Sequence, residues 1–119
     1  MDQRATRTTW PPVAAVGLTE LVAWICQRRL RIRVSGHSME PTLTNDQFVW
    51  VKRTTKVHEG DIVLSRHPIQ ANLNIIKRVS EIHPDGLTLI GDNPSESTDS
   101  RSFGRVPRVH LVGVVTAAL

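Results

Sequence analysis

The chain is poor in the residues that cross-link, coordinate metals or stack on bases. Its 119 residues include one cysteine, Cys26, which excludes an internal disulfide and any CxxC pair and suits a reducing compartment. Tyrosine is absent and aromatic residues make up 4%. Trp10, Trp24, Trp50, Phe48 and Phe103 are too dispersed to form a base-stacking platform. The five histidines, His37, His58, His67, His83 and His110, show no HExxH or similar ligand spacing, so neither a metal nor a cofactor is expected. Long apolar runs are missing too. The run from Val13 to Cys26 is broken by Thr19 and Glu20 and falls short of the roughly 20 apolar residues that span a bilayer. Its basic cluster follows the apolar stretch, the reverse of a secretory signal.

The remaining sequence reads as one globular domain, with 39% hydrophobic and 22% charged residues. The formal charge of +4 comes largely from the local cluster Arg28, Arg29, Arg31 and Arg33, and no nucleic-acid partner is expected. A helix is predicted from about Pro12, whose fixed backbone angle suits a first turn. This N-terminal segment, 1–30, packs on its own domain or makes peripheral membrane contact through an amphipathic face with a basic flank. A cytoplasmic location follows by default, with membrane association as the alternative. From position 31 to 119 the pattern changes to short β-type runs: Ile32–Val34, Phe48–Lys52, Ile62–Ser65, Asn74–Ile82, Leu87–Ile90 and Leu111–Val115. Asp85-Gly86 is the expected hairpin turn. The expected class is mainly β, a twisted barrel-like antiparallel domain with one N-terminal helix.

Three separated polar islands carry the chemistry. In SGHSMEPTL, from Ser35 to Leu43, Gly36 permits a tight turn before Ser38 and Pro41 directs the exit. Such a turn offers an attacking hydroxyl together with oxyanion donors, here the Ser38 amide and the Ser35 hydroxyl. Serine needs a base to take its proton, and a lysine serves only if burial keeps it neutral. Lys77, beside Ile75, Ile76 and Val79, is the candidate base; strand alternation equally allows it to face solvent. The third island, GDNPSESTDSRSFG, is dense in side chains that pin a loop. Within it Ser97 is placed to orient the lysine amine, and Asp99 and Arg101 to pair. Taken singly, each island is also ordinary turn or loop chemistry.

In order and wording the islands resemble the signal peptidase I family of Ser/Lys proteases. SGHSMEPTL is similar to the nucleophile box, GDIV at Gly60 to Val63 to the following strand, IKRV at Ile76 to Val79 to the base box, and GDNPSESTDSRSFGRVP to the closing box. The resemblance implies Ser38 as nucleophile, Lys77 as general base, Ser35 as oxyanion hydroxyl and Ser97 as lysine-orienting hydroxyl. Met39, Leu43 and Ile76 would line small-residue pockets for an extended substrate. Lys77 and Gly91 are too close for the large inserted domain of bacterial signal peptidases. That brevity, with Arg66-His67-Pro68 and Gly91-Asp92-Asn93-Pro94, most resembles the nickel-type superoxide dismutase maturation proteases. The implied partner is a precursor protein, a nickel superoxide dismutase that loses a short N-terminal propeptide. The alternatives are a minimal signal peptidase acting on exported preproteins and, in another class, a self-cleaving repressor-like regulatory domain.

Overall fold

The computed structural model describes residues 29–70 and 72–119. The helix expected from Pro12, and with it Cys26, Trp10 and Trp24, lies outside the described residues. Arg29 and Leu30 already belong to the first strand. Six strands follow in chain order: β1 Arg29–Arg33, β2 Phe48–Arg53, β3 Ile62–Arg66, β4 Asn74–His83, β5 Gly86–Ile90 and β6 Leu111–Ala118. A short helix, α1 (Ser100–Phe103), sits in the connection from β5 to β6. All six predicted runs form strands, each within a few residues of its expected limits. Among the described residues no helix is long and apolar enough to cross a membrane.

The strands make one antiparallel sheet in the order β1-β2-β6-β3-β4-β5. Register shifts at Trp50/Val51, Leu64/Ser65 and Val79/Glu81 add local twist, as bulges do. The domain is mainly β and antiparallel, as expected. Among the described residues it is not closed by strand pairing, and β1 and β5 are its edges.

Apolar side chains on the two faces of the sheet build two cores. One gathers Val57, Val63, Val79, Leu87, Leu89, Val106 and Leu111; the other holds Val34, Met39, Leu43, Val49, Val51 and Leu64. Successive strand residues point to opposite faces, so the adjacent Val63 and Leu64 serve different cores and β3 is buried on both sides. Burying each such side chain stabilises the fold by about 1.5–3 kcal/mol.

The β4–β5 turn lies one residue earlier than predicted. Pro84 and Asp85 form the two-residue loop, and His83 faces Gly86 across it. Gly86, at φ 155°, lies so close to the Val106 backbone that a Cβ would stand 2.6 Å from the Val106 carbonyl oxygen. That approach is needed because Leu87 and Val106 exchange two backbone hydrogen bonds of 2.8 Å. Glycine is therefore used as the first residue of β5, where backbone meets backbone.

Candidate active site

Ser38 stands on the loop between β1 and β2, closed at its base by bonds from Val34 N–H to Gln47 O (2.7 Å) and from Asp46 N–H to Val34 O (2.8 Å). Gly36 adopts φ 94° and donates its N–H to Asn45 Oδ1 at 2.7 Å. The next residue, Met39, is buried in the second core. The turn is thus anchored on one side of Ser38 by an apolar plug and on the other by a glycine in a backbone conformation that residues with a Cβ rarely adopt. His37 pairs with Glu40 at 2.8 Å, and the hydrogen bond to that carboxylate raises the imidazole pKa above its ordinary value.

Lys77 lies in β4 directly opposite Val63 of β3, hence on the face that also carries Val79. Its exposure is 6%, which removes the solvent-facing alternative. Nζ lies 2.9 Å from Ser38 Oγ. Burial depresses the lysine pKa; the negative charge of Asp99 works against this and the positive charge of Arg101 with it. The pair can pass a proton from hydroxyl to amine in the neutral state.

Asp99 organises the third island. It is 1% exposed and accepts from Gly91 N–H (2.9 Å), the Ser97 hydroxyl (2.8 Å), and the Arg101 N–H (3.1 Å) and guanidinium (3.0 and 2.6 Å). Burial alone would raise its pKa, but the Arg101 guanidinium leads a set of donors that hold it well below the carboxylate range. The expected Asp99–Arg101 pair is therefore made, and with two guanidinium nitrogens. Ser97 donates its hydroxyl to Asp99 at 2.8 Å, which leaves its oxygen lone pairs able to accept; among the described residues it makes no hydrogen bond with the lysine amine, whose contact is to Ser38.

A second carboxylate, whose role the sequence reading missed, ties the islands together. Asp92 accepts from Arg78 Nε (2.8 Å) and Nη2 (2.7 Å) and from the Thr42 hydroxyl (2.6 Å). Arg78 also donates to Gly60 O at 2.7 Å. These donors, Arg78 first, lower the Asp92 pKa. Asn93 closes the joint: its N–H donates to Ser38 O (2.8 Å) and its amide to His37 O (3.0 Å). Nothing in the chain spacing links Thr42, Arg78 and Asp92; only the adjacency of Arg78 to Lys77 hinted at it.

Two clefts flank the Ser38–Lys77 pair. The first, of about 390 Å³, runs between residues 32–34 and residues 74–76, with Met39 and Leu64 also in its wall. The second, of about 340 Å³, lies toward His67, Gln70, Glu96 and Thr98. Ser35, Ser38, Leu73, Ile75 and Lys77 line both. Of the three expected pocket residues, Met39 and Ile76 line the first cleft. Leu43 lines neither and instead packs in the second core; it follows the turn that buries Met39, and its N–H bonds back to Met39 O at 2.9 Å. Ser35 is exposed beside Ser38. Neither its hydroxyl nor the Ser38 N–H is engaged among the described residues, which leaves two free donors beside the Ser38 hydroxyl. Among the described residues no group of three or more His, Cys, Asp or Glu could hold a metal ion.

Comparison with known proteins gives the geometry its context. The chain is 33% identical over 103 residues to mitochondrial inner membrane protease subunit 1 of Xenopus tropicalis, covering 66% of this chain and 62% of that protein. The human protein of the same name is 31% identical over 100 residues, 64% of this chain and 60% of its own length. Signal peptidase I of Streptococcus pneumoniae is 34% identical over 61 residues, 51% and 29% of the respective chains. This chain thus spans less than two thirds of the length of those relatives. The Peptidase S24-like family profile matches residues 24–116, a stretch holding all three polar islands, β1 to β5 and all but the end of β6, and the chain belongs to that peptidase family.

Proposed function

We propose that the chain is a serine endopeptidase of the signal-peptidase type, with Ser38 as nucleophile and Lys77 as general base, cleaving an extended segment of a precursor protein. The observation that carries this reading is the 2.9 Å contact between Lys77 Nζ and Ser38 Oγ in surroundings that lower the lysine pKa. Neutral Lys77 takes the Ser38 proton as Oγ attacks the scissile carbonyl. The Ser38 N–H and the Ser35 hydroxyl donate to the oxyanion, and the lysine ammonium returns the proton to the leaving amine. Water, deprotonated by the same amine, then hydrolyses the acyl-enzyme. Asp99 acts at one remove, holding Ser97, Gly91 and Arg101 around the base. The substrate lies in the cleft between residues 32–34 and 74–76 as an added strand, with small side chains toward Met39 and Ile76.

The named relatives favour preproteins met at a membrane over the dismutase precursor. One observation keeps the latter as a second reading: β4 turns into β5 through Pro84 and Asp85 alone, so the chain carries no inserted domain there. Mass spectrometry after incubation with a signal-peptide-bearing preprotein and, separately, with a nickel superoxide dismutase precursor discriminates the two. Ser38→Ala and Lys77→Ala should each lower cleavage by at least about 10³-fold with circular dichroism unchanged. Cleavage retained by either variant refutes the assignment.

A further inference from the structure

Among the described residues β1 is an edge strand that pairs with β2 alone. Its last residues form one wall of the cleft that also holds Ser38 and Lys77, and the first residues of β4 form the other. Along β1 the exposed positions are Arg29, Arg31 and Arg33, with Leu30 and Ile32 on the opposite face. Among the described residues none of the three is firmly matched to a carboxylate. Arg29 reaches the Thr116 hydroxyl at 3.3 Å, Arg31 sits 4.0 Å over the Phe48 ring, and Arg33 lies 3.6 Å from Asp46 with both side chains mostly in solvent. No Asp or Glu lines this cleft, whereas Glu96 lines the one on the other side of Ser38. The wall thus brings Ile32 and Arg33 to the cleft, with Arg31 and Arg29 continuing the arginine row away from it.

We propose that β1 selects an acidic substrate segment: an extended peptide laid on the free edge, with Asp or Glu at alternate positions facing Arg31 and Arg33 and small apolar residues between them facing the cleft. The proposal rests on the endopeptidase reading for its direction toward Ser38, and on the arginine spacing for its charge. A strand added to β1 repeats the two-residue period of its neighbour, so every second side chain lies beside an arginine at cross-strand distance. Opposite charges there favour binding by about 1.5- to 5-fold per pair. Charged edge residues also serve simply to prevent strand pairing, and the experiment separates that role from recognition.

Three octapeptides share one cleavable Ala-Ala bond and alanine at the inward positions, and carry Glu, Gln or Lys at two alternate outward positions. Turnover by the full chain, and binding to its Ser38→Ala variant, are measured at low and at 0.5 M salt, about where screening becomes severe. The Glu peptide is expected to bind tightest with the lowest KM, Gln next and Lys weakest, a spread compressed by salt and inverted in Arg31→Glu/Arg33→Glu. Equal binding of all three peptides, or an order that survives the charge reversal, overturns the proposal and leaves the arginines as edge guards. Uniform binding together with arginine-dependent flotation on phosphatidylserine vesicles also overturns it, in favour of a lipid surface. Charge-ordered binding to Ser38→Ala without turnover by the wild type preserves the charge inference and removes the endopeptidase reading.

Discussion

Lys77 faces Val63 and touches Ser38, and its depressed pKa has consequences for both stability and rate. Because burial disfavours the ammonium, the folded chain binds a proton there more weakly than the unfolded chain. Between the lowered folded pKa and the ordinary lysine value the unfolded state binds more protons, so stability rises with pH across that window. Lys77→Met should therefore be more stable than wild type below the window, with the difference shrinking as pH climbs through it. Urea titrations at stepped pH measure this, and a difference constant into the alkaline range would contradict it. Wild-type kcat/KM should rise with pH over the same window as the ammonium deprotonates. Asp99 behaves with the opposite sign. Its pKa is held down, so its contribution is present above the unfolded carboxylate value near about 3.9 and is lost as pH falls through the folded one. Asp99→Asn should cost about 1.5–3 kcal/mol at neutral pH, the range for bonds to a charged group, and flatten the acid limb of the stability profile.

At the scale of elements, the site depends on how closely the third island approaches the nucleophile turn. Gly91 follows β5 and has no room for a side chain: a Cβ would overlap the Ser97 hydroxyl and lie 2.7 Å from Ser38 O. The Ser38 carbonyl is itself held by Asn93 N–H, so relief would have to come from the backbone that carries the hydroxyl. Gly91→Ala is expected to lower stability by about 1–3 kcal/mol and to reduce kcat more than the stability loss explains. Denaturant unfolding set beside turnover at a temperature where the variant is fully folded makes the comparison. Asp92 explains why the islands move together, since Thr42, Arg78 and Asp92 join the nucleophile turn, β4 and the closing loop in one hydrogen-bonded joint.

For the molecule as a whole, the open sheet sets a gradient of protection. β3 lies inside the sheet between β6 and β4 and contributes Val63 to one core and Leu64 to the other, so its amides open only with the entire domain. Among the described residues β1 and β5 have one neighbour each. Hydrogen exchange should be slowest at Val63 and Leu64 and fastest, among strands, in β1; comparable rates in β1 and β3 would deny the cooperative two-core description. The free edge at β1 is also what makes room for an added peptide strand beside the cleft.

The strands were legible in the sequence because alternation of apolar and polar residues is a local property and β-type runs bounded by turns leave little choice of element; the candidate nucleophile and base were legible only through the order and wording of the three polar islands together. The sequence also made the Asp99–Arg101 pair readable, since both partners sit within one short loop. Only the tertiary structure decided which face Lys77 takes, because a period of two allows either and the choice is fixed by the register with Val63. It likewise aimed the Ser97 hydroxyl proton at Asp99 and put Leu43 in the core. It made Asp92 the joint between islands. Those outcomes turn on contacts between residues far apart in the chain, whose energies depend on burial and competing partners that no local pattern encodes.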